Sequence, residues 1–99
     1  MSNPTTINIY TKDNKDVALK NENTGKEIII TFTNKKINAE DIYNLIDYKP
    51  TNEYILTETR PTSNASDPVI EFFDTVKDLI DKIIKRINNL SSAQEDAIA

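Results

Sequence analysis

Between Val69 and Leu90 the residues Val69, Phe73, Val76, Ile80, Ile83, Ile87 and Leu90 follow one another at spacings of 4-3-4-3-4-3. Alternation of threes and fours keeps side chains on one face of an α-helix, and here it makes a heptad seam. Phe72, Leu79 and Ile84 widen the stripe to an arc of roughly 140°. Glu71, Asp74, Asp78, Asp81, Lys82 and Lys85 occupy the opposite face. Asp78–Lys82 and Asp81–Lys85 are i, i+4 pairs with the acid on the N-terminal side, the favourable orientation. Asp67 as cap and Pro68 at the first helical position mark the start. The acids near that start and Lys82, Lys85 and Arg86 near the end suit the helix dipole. The pattern predicts a helix over about 68–90, followed by a flexible tail over 91–99. A helix so divided must bury its stripe, against a sheet of its own chain or against another chain.

The first two thirds of the chain predict the sheet. Thr6 to Thr11 alternates, Ile7 and Ile9 on one face and Asn8 and Tyr10 on the other, as in a half-buried strand. Val17-Ala18-Leu19 reads as a short second strand. Asn21 to Gly25 is a turn that uses the only glycine where a positive φ is needed. Glu27 to Thr33 is the strongest strand, and apolar groups on both its faces argue for a central place in the sheet. A short helix follows, with Asn38 as N-cap, Glu40 and Asp41 in its first turn, and Ile42, Leu45 and Ile46 on one face. Tyr48-Lys49-Pro50 closes it, and Tyr54 to Thr59 is a further strand. The expected fold is α+β: a small antiparallel sheet of three to four strands, packed by one short helix and a long C-terminal amphipathic helix. One domain would span 6–90, after a flexible N-terminus over 1–5.

Lengths give the long helix a second expected role. The 22 residues from Val69 to Leu90 span roughly 33 Å, whereas a six-residue strand spans about 20 Å. About a third of the stripe should overhang, which predicts a self-association interface of Val76, Ile80, Ile83, Ile84, Ile87 and Leu90. A symmetric homodimer is expected, weakened by Ile83→Asp or Ile87→Asp.

Composition narrows the chemistry. The 99 residues contain no histidine, no cysteine and one glycine. Imidazole bases, thiol nucleophiles, disulfides and Gly-rich phosphate loops are thereby excluded. Glu40/Asp41 and Glu71/Asp74/Asp78 are carboxylate groupings, read as helix-start charges and a solvated helix face rather than as acid–base catalysts. Asp74, Asp78 and Asp81 are read as a salt-bridge lattice with Lys77, Lys82 and Lys85 rather than as metal ligands. No cofactor or metal is expected. Net charge is −4, with residues 1–36 mildly basic and the remainder acidic. Tyr10, Lys12, Lys15, Lys20 and Lys26 make a weak basic-aromatic patch, better read as ordinary edge-strand charge than as a nucleic-acid surface. No apolar run is long enough for a membrane span, and the expected location is the cytoplasm. Heavy use of Asn, Lys and Ile points to an AT-rich coding sequence, as in low-GC bacteria and their phages.

The order of hairpin, short helix and strand from Ile28 to Leu56 is similar to that of ubiquitin-like β-grasp domains. The chain ends in Ala97-Ile98-Ala99, without the diglycine that conjugation requires, and the long terminal helix is foreign to that pattern. The expected function is a non-enzymatic protein–protein interaction module acting as a homodimer, such as a phage or mobile-element accessory protein or inhibitor that occludes a host protein. Glu71, Asp74, Asp78 and Asp81 would form its partner surface. The alternatives are an assembly component of a phage particle and a nucleic-acid accessory protein using the N-terminal lysines.

Overall fold

Alternation in the strands and threes-and-fours in the helices are both honoured in the computed structural model. It describes residues 4–34, 36–49, 52–62 and 66–98, with side chains in the last helix as far as Asn89. Met1, Ser2, Asn3, Pro50 and the side chain of Leu90 lie outside the described residues. The elements are β1 (Thr5–Thr11), β2 (Asp16–Asn21), β3 (Glu27–Thr31), α1 (Ala39–Ile46), β4 (Tyr54–Thr59) and α2 (Asp67–Ile98). They form an α+β fold. The helical backbone continues to Ile98, past the tail boundary expected at residue 91.

The sheet runs β3-β2-β1-β4. β1–β2 and β2–β3 are antiparallel, with Ile9 opposite Leu19 and Leu19 opposite Ile28. β4 instead lies parallel to β1, with Leu56 beside Ile7, so the sheet is mixed rather than antiparallel. A parallel neighbour requires a long crossover, and the connection from Thr31 to Tyr54, which carries α1, supplies it. A second expectation is corrected as well: β3 lies at an edge, not in the centre. Its chain turns at Phe32 and Thr33, Asn34 N–H donating to the Thr31 carbonyl at 3.0 Å, and the next strand joins the far side of the sheet.

One face of the sheet is covered. Ile7, Ile9, Val17, Leu19 and Ile30 point inward to meet Ile42, Leu45 and Ile46 of α1 and Phe72, Phe73, Val76, Ile80, Ile84 and Ile87 of α2. Phe32 meets Phe72 edge-to-face, ring centroids 5.3 Å apart, a geometry that suits the ring quadrupoles. α2 runs antiparallel to β4 and is joined to it at three heights. Arg60 Nη2 lies 2.8 Å from Asp74 Oδ2, and Lys77 Nζ 3.4 Å from Glu58 Oε1. Tyr54 N–H donates to Asn88 Oδ1, and Asn88 Nδ2 donates back to the Tyr54 carbonyl, both at 3.2 Å.

These rungs correct the overhang argument. Fourteen helical steps from Asp74 to Asn88 rise about 21 Å, matching the roughly 20 Å of strand from Arg60 back to Tyr54. The helix follows β4 along its whole length, and its surplus lies at the two ends. Val69, Phe72 and Phe73 are buried at the first end, and Ile80, Ile84 and Ile87 are at most 4% exposed within their own chain. Ile83 packs half-buried against the same core. α1 packs on the same face over β2 and β3 and shares that core, so the core is wider than the one strand beside α2. Leu79, counted in the stripe, is 41% exposed.

Local signals fare unevenly. Gly25 adopts φ +78° and donates to the Asn21 carbonyl at 2.7 Å. Asn21 is fully buried and fully used: Nδ2 donates to Leu45 O at 2.9 Å, and Oδ1 accepts from the backbone of Asn23 and Thr24. It ties the turn to α1, which a polar residue at a strand end does not announce. Asn38 occupies the N-cap position without a side-chain cap bond, and Asp47 in the left-handed region ends α1. Ser66, rather than Asp67, offers the carbonyl that accepts the first bonds of α2, from Val69 and Ile70.

Two substitutions test this packing. Ile87→Asp buries a charge in the core, so circular dichroism should report an unfolded chain rather than a dissociated one. Asn88→Ala removes two bonds to Tyr54 and should lower stability by about 1–3 kcal/mol in urea titrations, with the slope unchanged.

Candidate functional site

Backbone hydrogen bonds decide which edge of the sheet is open. Successive residues of an antiparallel strand direct their N–H and C=O to alternate neighbours. Glu22 N–H donates to the Thr6 carbonyl and Lys12 N–H to the Asp16 carbonyl, which sets the even-numbered residues of β2 toward β1. Asn21 N–H donates to the Lys26 carbonyl at 2.8 Å, which sets the odd-numbered ones toward β3. On β3, Lys26, Ile28 and Ile30 therefore answer β2. The N–H and C=O of Glu27 and Ile29, and the N–H of Thr31, point away from the sheet.

The other edge is answered at one end and flanked by α2. Thr5 N–H donates to the Glu53 carbonyl at 2.8 Å, so Glu53, Ile55 and Thr57 face β1 and Tyr54, Leu56 and Glu58 face outward. The Asn88 amide then fills both outward groups of Tyr54 as a neighbouring strand would. The ion pairs of Glu58 and Arg60 hold α2 along the remainder. Side-chain exposure does not separate the edges: Ile29 in the middle of β3 is 45% exposed and Ile55 on β4 43%, so the difference lies in the backbone and in α2.

The uncovered face of the sheet carries a short polar network. Tyr10 on β1 donates its hydroxyl to Glu27 Oε2 across β2, and Lys12 Nζ lies 3.0 Å from Glu27 Oε1. The Tyr10 bond, with Lys12 next, lowers the pKa of Glu27 below the usual glutamate range. The same bond, followed by burial, pushes the Tyr10 hydroxyl up to about 12. The basic-aromatic patch is thus partly neutralised from within, since Tyr10 and Lys12 converge on one carboxylate.

Three acidic residues of α2 are likewise engaged. Asp74 pairs with Arg60, Asp78 with Lys82 and Asp81 with Lys85, the last two as the i, i+4 pairs read from the sequence. Glu71 and Asp78 are exposed and Asp74 and Asp81 half-buried. Among the described residues no group of three acidic side chains is placed to hold a metal ion. No helix among them is long and apolar enough to cross a membrane. An apolar cleft between Lys15, Phe32, Pro68 and Val69 has Ser66 on its rim, next to residues 63–65, which lie outside the described ones. Of the stripe residues expected to mediate self-association, Val76, Ile80, Ile84 and Ile87 are in the core and Ile83 is packed on it.

Comparison with protein families, with characterised proteins and with solved structures finds no match to this chain.

The network has a titration signature. Tyr10 holds its proton more tightly when folded, so its contribution to stability is complete below pH 10 and fades as pH rises toward 12. Glu27 behaves conversely: its contribution is complete above the ordinary value of 4.5 and fades as acid carries it through the lowered one. Ultraviolet titration of the four tyrosines should show Tyr10 ionising near pH 12. In Glu27→Gln that step should move back toward 10, while Tyr54, raised chiefly by burial, stays put.

Proposed function

We propose that this chain is a non-enzymatic protein-interaction module that works as a homodimer. The observation that carries the reading is β3, a strand with the composition of a sheet centre standing at an uncovered edge. Such edges pair readily with other chains, and natural sheets normally guard them with charge, proline or a covering element. β4 has its guard in α2. On β3 the Ile29 side chain and the outward backbone of Glu27, Ile29 and Thr31 are open to a partner strand, and a domain of this size gains much from extra apolar burial.

A dimer would display the acidic strip of Glu71, Asp74, Asp78 and Asp81 twice, on the helix side turned away from the sheet. A target protein would be occluded by that paired surface, the role of a small accessory protein or inhibitor of phage or mobile-element origin. Lys12 and Tyr10, already engaged by Glu27, favour a protein partner over nucleic acid.

Light scattering over a concentration series tests the oligomeric claim. Wild type should approach twice the chain mass of 11.3 kDa at micromolar concentrations. Ile29→Lys should hold the single-chain mass with an unchanged circular dichroism spectrum. A wild type monomeric up to high micromolar concentration overturns the reading.

A further inference from the structure

We infer that two copies join through β3, antiparallel about a twofold axis at Ile29, so that two four-stranded sheets become one continuous sheet. The inference rests on the homodimer reading above and gives that dimer its interface and register.

Hydrogen-bond parity selects the register. A twofold axis normal to the sheet sets residues of like parity opposite each other. The outward backbone groups of β3 belong to Glu27, Ile29 and Thr31. With the axis at Ile29, Ile29 faces its own copy and Glu27 faces Thr31 at either end, so all three residues become hydrogen-bonded pairs. An axis at Glu27 would set two carboxylates face to face, which is destabilising. An axis at Thr31 would send Glu27 past the turn at Phe32 and Thr33, where no strand continues. An axis at Ile28 or Ile30 engages fewer outward groups.

Charge and shape favour the same occupant. Glu27, the only charged residue in β3, is held by Tyr10 and Lys12 of its own chain. It therefore does not guard the edge, and in this register no like charge lies across from it. Lys26 Nζ turns toward Asn44 O at 3.5 Å. Ile29, nearly half exposed, would meet Ile29 of the second copy as a cross-strand pair of β-branched side chains, a contact that stabilises sheets. A second copy of β3 thus supplies both the complementary backbone and the apolar neighbour.

The absence of cysteine makes a direct test clean. Residues opposite each other in a hydrogen-bonded antiparallel pair have Cα atoms about 5.5 Å apart, within the span a disulfide bridges. Ile29→Cys should oxidise to a covalent dimer roughly tenfold more efficiently than Leu79→Cys, a similarly exposed site on α2. In unsubstituted protein, deuterium exchange at the Ile29 N–H should slow about tenfold from dilute to concentrated solution. A scattering dimer that cross-links at residue 79, or at neither site, and leaves Ile29 unprotected overturns the strand pairing while the dimer stands. A monomer at every concentration overturns both.

Discussion

The Asn88 amide binds both backbone groups of Tyr54 at 3.2 Å, and much of the domain depends on what that contact fixes. Together with the Lys77–Glu58 and Arg60–Asp74 pairs, it sets the height of α2 along β4 and hence which side chains reach the inner face. The two ion pairs are exposed and worth little individually. The amide contact is part-buried, and loss of one side would strand polar backbone beneath a helix. With that height fixed, the three-and-four spacing of the stripe carries Phe73, Val76, Ile80, Ile84 and Ile87 in turn onto the core.

The same contact divides the roles of the two sheet edges. β4 is a parallel partner of β1 on one side and is answered by a side chain on the other. Among the described residues β3 pairs with β2 alone. The bare sheet face between them is tied together by Tyr10 reaching over β2 to Glu27, which joins the central strand to the open edge and keeps the edge carboxylate turned inward.

Periodicity alone made much of this legible. All four strands, both helices, the positive φ of Gly25 and the two i, i+4 ion pairs follow from spacing and composition. Strand order did not, because apolar residues on both faces of Glu27–Thr31 say that two faces are apolar, not that two neighbours exist. The parallel placement of β4 depends on where a crossover leads, and no local residue encodes that. That Val76, Ile80, Ile84 and Ile87 of α2 serve the chain's own core has a related reason. Length comparison assumed one strand beneath one helix, whereas α1 lies in the same core and the surplus of α2 is shared between its ends. Asn21 and Asn88, which hold the layers together, resemble any surface asparagine until their partners are known.

A sheet flanked along one edge by its own helix offers its two edges unequally. A strand docking on β3, as proposed, would leave a far edge that is answered at Tyr54 and flanked by α2, which hinders the next addition. Had Asn88 been a residue without an amide, Tyr54 would offer its backbone at that edge as well, and pairing at both edges is what lets strands propagate into filaments. If β3 pairs as proposed, the clamp on Tyr54 bears on the size of the assembly as well as on stability.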